Sequence, residues 1–78
     1  MSLIQSLTVK DDYLLDVLLD NGSRIVLNLK NRLGTVRFGL LADREFFGKA
    51  TATADGHFIR WDDRLEISVN ELFQLAQK

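Results

Sequence analysis

An α+β fold with antiparallel β-structure follows from three features of this 78-residue chain. Two glycine turns, Asn21-Gly22 and Asp55-Gly56, each separate apolar segments, which is the pattern of a β-hairpin. The C-terminal segment opens with Ser68-Val69-Asn70-Glu71, which has the spacing of a helix capping box. Val69, Leu72, Phe73 and Ala76 then recur at the i, i+3, i+4, i+7 positions of an amphipathic helix. The expected architecture is a single domain over 1–78. It has an antiparallel sheet of two β-hairpins plus an N-terminal strand, one short helical turn in the middle, and the C-terminal helix.

Leu3 to Val9 reads as the first strand, and Asp11-Asp12 marks a turn. Tyr13 to Asp20 and Arg24 to Leu29 form the arms of the first hairpin. Treating Asn21-Gly22 as a two-residue type I′ loop sets Leu18 opposite Ile25, Asp16 opposite Leu27 and Leu14 opposite Leu29. Leu14, Leu18, Ile25, Leu27 and Leu29 then share one face, and Leu15, Val17, Leu19 and Val26 share the other, with Arg24 and Asn28 among them. Both faces read as apolar, so the hairpin requires a cover on each side.

After a polar break around Gly34, Asp43 is placed as the N-cap of a short turn through Phe47, stopped by Gly48. In the second hairpin, Asp55-Gly56 as a type I′ loop pairs Ala52 with Ile59 and Ala50 with Trp61. The small alanines leave room for the indole beneath a helix. Leu65-Glu66-Ile67 reads as a further short strand, with Ser68 as the N-cap of the last helix.

Composition narrows the function classes. Ten Lys+Arg against eleven Asp+Glu give a net charge of -1, and the basic residues are dispersed, which argues against nucleic-acid binding through phosphate neutralisation. No apolar run approaches the ~20 residues of a membrane span, and the N-terminus lacks the charged start of a signal peptide, so no membrane partner is expected. The absence of cysteine excludes a disulfide and points to a cytoplasmic setting. A domain this small draws only about 3–5 kcal/mol from its core. With no disulfide to supplement that core, association with another copy, as a dimer, is the expected staple.

No catalytic residue, cofactor-binding residue or metal ligand can be nominated. The two Asp-Asp pairs lack the oxygen-ligand spacing of a calcium loop, and there is no phosphate loop or nucleophile elbow. Two surfaces remain as candidates. Leu14, Leu18, Ile25 and Leu27 form an expected interface, and His57, Arg60 and Trp61 form an expected ligand pocket near the second hairpin. Phe58 with Arg60, Thr51 and Thr53 is a third arrangement, a stacking platform for single-stranded nucleic acid.

Taken together, Asp12-Tyr13-x-Leu15 before Asp20-Asn21-Gly22, Leu40-x-x-Asp43-x-x-x-Phe47, Gly56-x-x-Ile59-x-Trp61 and Leu65-x-Ile67-Ser68 before Glu71-Leu72 resemble the small bacterial family called domain of unknown function 2442. The resemblance spans nearly the whole chain. It departs at Asp62, where the family pattern has proline after the tryptophan. It implies a short α+β protein, standing alone or placed before a helix-turn-helix domain. Some members accompany a companion small protein in an antitoxin-like arrangement. The family carries no established catalytic residues. A chain ending at Lys78 would leave DNA binding to a partner. The expectation is a non-enzymatic protein-interaction module, an accessory or antitoxin-like regulatory component. The alternatives are a small-ligand-binding domain or minor enzyme, and a nucleic-acid-binding accessory protein.

Overall fold

Among the described residues, 2–76, the computed structural model contains six strands and two α-helices. Strands β1 (Ile4–Lys10), β2 (Leu14–Leu19) and β3 (Arg24–Asn28) form one antiparallel sheet in the order β1-β2-β3. Short 3-10 turns at Lys30–Arg32 and Gly39–Ala42 lead into α1 (Arg44–Phe47). Strands β4 (Thr51–Ala52), β5 (Phe58–Asp62) and β6 (Leu65–Ser68) form a second sheet, and α2 (Val69–Ala76) closes the chain. The α+β class, both hairpins, the mid-chain turn and the C-terminal helix are therefore present, with the strands divided between two three-stranded sheets. At the seam between the sheets, the Ile4 amide donates to the Gly56 carbonyl at 2.9 Å.

The first turn differs from the type I′ loop. That turn needs positive φ at both central residues, yet Gly22 has φ +90° while Asn21 is not in the left-handed region. The Gly22 amide donates to the Leu19 carbonyl, and the Leu19 amide donates to the Ser23 carbonyl. The loop is therefore Asp20-Asn21-Gly22, one residue longer, with glycine in the left-handed position that closes a three-residue hairpin. Asp20 and Asn21 stabilise it, because Asp20 Oδ1 accepts from the Leu3 amide and Asn21 Oδ1 accepts from the Ser23 amide. One extra loop residue slips the register by one and reverses the facing of a whole arm. Leu15 now opposes Leu27, Val17 opposes Ile25 and Leu18 opposes Arg24.

The second hairpin behaves differently. Ala52 opposes Ile59 as the sequence suggests, although the loop is Ala54-Asp55-Gly56-His57, closed by Thr53 and Phe58. Lengthening a loop by two residues preserves the pairing that lengthening by one destroys.

The core is one cluster drawn from both sheets, α2 and the segment between the sheets, including Phe47 of α1. The first sheet contributes Ile4, Leu15, Val17, Leu19 and Leu27, with Leu29 just beyond β3, and the second contributes Ile59, Trp61, Leu65 and Ile67. Trp61 packs against Phe47, and its indole N–H donates to the Phe47 carbonyl at 3.1 Å. Tyr13 meets Phe47 edge-on at 5.2 Å and donates its hydroxyl proton to the Ala42 carbonyl at 2.7 Å. Those contacts anchor α1, whose N-cap Asp43 accepts from the Glu45 amide.

Helix α2 presents Val69, Leu72 and Leu75 to the core, while Phe73 remains 39% exposed and Ala76 is exposed. The apolar stripe thus runs to Leu75 rather than through Phe73. Ser68 caps the helix by accepting from the Glu71 amide at 3.1 Å. The Glu71 carboxylate does not complete the capping box. It takes the Arg37 guanidinium, which also donates to the Glu66 carbonyl at 3.0 Å and lies over the Phe38 ring. Arg37 thereby fastens the segment between the sheets to both β6 and α2. Ser68→Ala should cost about 1 kcal/mol by leaving the first helical turn uncapped, read as a lowered urea midpoint with an unchanged native spectrum.

No helix among the described residues is long and apolar enough to cross a membrane.

Candidate interaction surface

The corrected register sorts the first sheet into two unlike faces. Leu15, Val17, Leu19, Ile25, Leu27 and Leu29 point inward and meet the core. Strand alternation places Ser6, Thr8 and Lys10 from β1, Leu14, Asp16 and Leu18 from β2, and Arg24, Val26 and Asn28 from β3 on the outer face. That face is mixed, so no second cover over a wholly apolar side is required, contrary to the two-faced expectation.

Asp16 lies at its centre with its side chain only 12% exposed. Arg24 grips it with two nitrogens, Nε to Oδ1 at 2.8 Å and Nη2 to Oδ2, and Lys10 Nζ approaches Oδ2 at 3.8 Å. Ions at the diagonals of a pleated sheet are within reach of each other. Long charged side chains can shade apolar neighbours, and Leu14 and Leu18, which pair with Lys10 and Arg24, are both half-buried. Val26 has no such shade. It stands 54% exposed beside Asp16, at the middle of an edge strand.

The outer edge of β3, unpaired among the described residues, completes the surface. Ser23 and Leu29 flank β3 and bond to Leu19 at the end of β2 and to Tyr13 just before it, so the alternation of an antiparallel ladder turns the peptide groups of Arg24, Val26 and Asn28 away from β2. β3 pairs with no other strand among the described residues. β1, the opposite edge, is interrupted by a bulge between Ile4 and Ser6 and tied to the second sheet through Ile4. Bulges of this kind blunt an edge against pairing.

No family model, curated protein or solved structure matches this chain.

Of the four residues expected at an interface, Leu14 and Leu18 lie on the outer face, whereas Ile25 and Leu27 lie on the inner one, with Leu27 buried. Val26 is the exposed apolar residue of β3, and a two-residue loop gives it the wrong neighbours. A signal for it exists in the sequence. The slipped register puts Asp16 and Arg24 on one face and leaves the other uniformly apolar, whereas the two-residue loop strands Asp16 among leucines.

The expected ligand pocket does not assemble. Trp61 is buried in the core, Arg60 is exposed and bonded to Asp63 at 2.6 Å, and His57 lies on the hairpin loop. His57 instead borders a depression of about 330 Å³ with Phe58, Ser68, Val69 and Asn70, open to solvent and without converging charges. The stacking platform is likewise occupied by its own bonds, since Thr53 Oγ1 donates to Asp55 Oδ1 and accepts from the Phe58 amide. A second notch of about 210 Å³, between the β1–β2 turn and α1, is below the 300–1,000 Å³ typical of ligand pockets. Among the described residues no cluster of His, Asp or Glu could hold a metal ion.

Three carboxylates are held below their ordinary pKa. Arg24's hydrogen bonds lower Asp16, partly opposed by desolvation and aided by the charges of Arg24 and Lys10. Thr53's hydroxyl, then the His57 amide, lower Asp55, and the Arg64 amide and guanidinium lower Asp62. A lowered folded-state pKa contributes stability that is present above the unfolded value and lost as pH falls through the folded one. The urea midpoint should therefore hold from neutrality to the ordinary aspartate range and drop below it. Asp16→Asn should remove part of that acid slope, and an acid slope identical to that of the parent would contradict the assignment.

Proposed function

We propose that the chain is a non-enzymatic interaction module that assembles as a homodimer through the open edge of β3. The observation that supports this reading is Val26, uncharged and half-exposed at the centre of a strand whose outward peptide groups have no partner among the described residues. Natural edges are commonly guarded by a central charge, a proline or a bulge. β3 has none of these within Arg24–Asn28 apart from Arg24 at its end. An antiparallel β3–β3 pairing centred on Val26 would extend the three-stranded sheet into six strands. It would set Arg24 beside the partner's Asn28, so no like charges face each other. Leu14 and Leu18 would lie one strand back on the same face.

A single strand pairing buries little area, so the dimer should dissociate on dilution. Light scattering across a concentration series should show that transition, and Val26→Lys should yield a monomer with the parent's circular dichroism. A wild-type monomer at every concentration would overturn the dimer. The resemblance to the domain of unknown function 2442 family adds a companion small protein as a further occupant of the same edge, with a regulatory, antitoxin-like role. A monomer that binds a strand-donating companion, and loses it in Val26→Lys, would support that version.

A further inference from the structure

We propose that Asn21 is a site of spontaneous deamidation in the folded protein. The reaction needs an exposed asparagine whose side-chain carbonyl can be attacked by the next residue's amide nitrogen. Asn21 is exposed on the hairpin tip, and Gly22 follows it with no Cβ and open space around its α-carbon. The Ser23 amide donates to Asn21 Oδ1 at 2.9 Å, which draws electron density from Cγ and favours attack there. The Gly22 amide is engaged with the Leu19 carbonyl at 3.0 Å and must be released first. That is a single bond of a surface turn, the kind that opens locally without global unfolding.

The chemistry balances without a cofactor. Gly22 N bonds to Asn21 Cγ, the Cγ–Nδ2 bond breaks, and Nδ2 leaves as ammonia carrying the Gly22 amide proton. Water then opens the cyclic imide at either carbonyl, giving aspartate or isoaspartate at position 21. Either product adds one negative charge and removes the Nδ2 donor that bonds Ser2 Oγ at 2.8 Å. Isoaspartate also lengthens by one atom the backbone of the loop that sets the β2–β3 register.

Other positions are screened. Asn28, Asn31 and Asn70 precede Leu29, Arg32 and Glu71, whose side chains crowd the attacking nitrogen. Asp55-Gly56 could close a similar ring, but Gly56 is buried against Leu3 and Ile4, and the Asp55 carboxylate is fixed by Thr53 and His57. The test is to age the native chain at mildly alkaline pH and map its peptides by mass spectrometry. A gain of one mass unit should appear in the peptide holding Asn21, at least about tenfold faster than at the other asparagines, and Gly22→Ala should slow it because a Cβ obstructs ring closure. Asn21→Gln, which cannot form the five-membered ring, should abolish it on the same timescale. Equal conversion at all asparagines, or conversion of Asn21 only in denaturant, would overturn the proposal.

Discussion

Trp61→Ala should leave the chain largely unfolded at room temperature. Truncating a buried tryptophan costs about 3–5 kcal/mol, comparable to the roughly 3–5 kcal/mol that the core of a domain this size supplies. Trp61 is 5% exposed and joins elements distant in sequence, since it lies on β5, packs against Phe47 of α1 and donates to that residue's carbonyl. Far-UV circular dichroism and a urea titration would show the loss directly. Trp61→Phe separates the two contributions. It keeps most of the apolar volume and deletes the donor, and the Phe47 carbonyl still accepts from the Ala50 amide at 3.3 Å. Its cost should be only about 1 kcal/mol, that of an ordinary hydrogen bond. Equal destabilisation by the two substitutions would mean that the hydrogen bond, not the packing, holds α1.

The second large effect concerns two glycines with similar backbones and different surroundings. Gly22 and Gly56 have φ +90° and +76°, so alanine at either should cost about 1–2 kcal/mol in the left-handed region. Around Gly22 the space is open. A Cβ on Gly56 would lie 3.0 Å from Leu3 Cβ and 3.3 Å from the Ile4 nitrogen and oxygen. Backbone cannot swing aside as a flexible side chain can, and overpacking adds about 1–3 kcal/mol. Each kcal/mol moves the melting midpoint by about 4–8 °C in a domain of this size. Gly56→Ala should therefore lower the midpoint by about twice as much as Gly22→Ala, because it also pushes on the Ile4–Gly56 bond joining the sheets. Matching shifts would show that the seam yields freely.

Loop length decides how far the effect of each glycine turn reaches through the fold. Asn21-Gly22 and Asp55-Gly56 look equivalent as sequence, yet their loops contain three and four residues. The second retains the pairing of Ala52 with Ile59; the first slips by one and moves Ile25 and Leu27 into the interior while turning Val26 outward. The candidate surface was therefore legible only in part. Leu14 and Leu18 could be placed on it, but Val26 required the register.

Local chemistry was readable wherever a residue acts on its immediate neighbours. Asp43 and Ser68 cap their helices, Gly48 ends α1, and the apolar runs become strands, because hydrogen bonds to nearby amides and pleat alternation depend on a few adjacent residues. Three outcomes depend on residues far apart in the chain. The strands divide into two sheets, Glu71 abandons its own helix terminus for Arg37, and Leu75 rather than Phe73 reaches the core. Each is a competition in which a distant partner offers a better contact than the local one, and that comparison exists only once the chain has been brought together. The register of the first hairpin lies between these cases. A three-residue loop and a two-residue loop are both locally acceptable, and the choice falls to whichever pairing turns six apolar side chains toward the core and pairs Asp16 with Arg24 on the outer face.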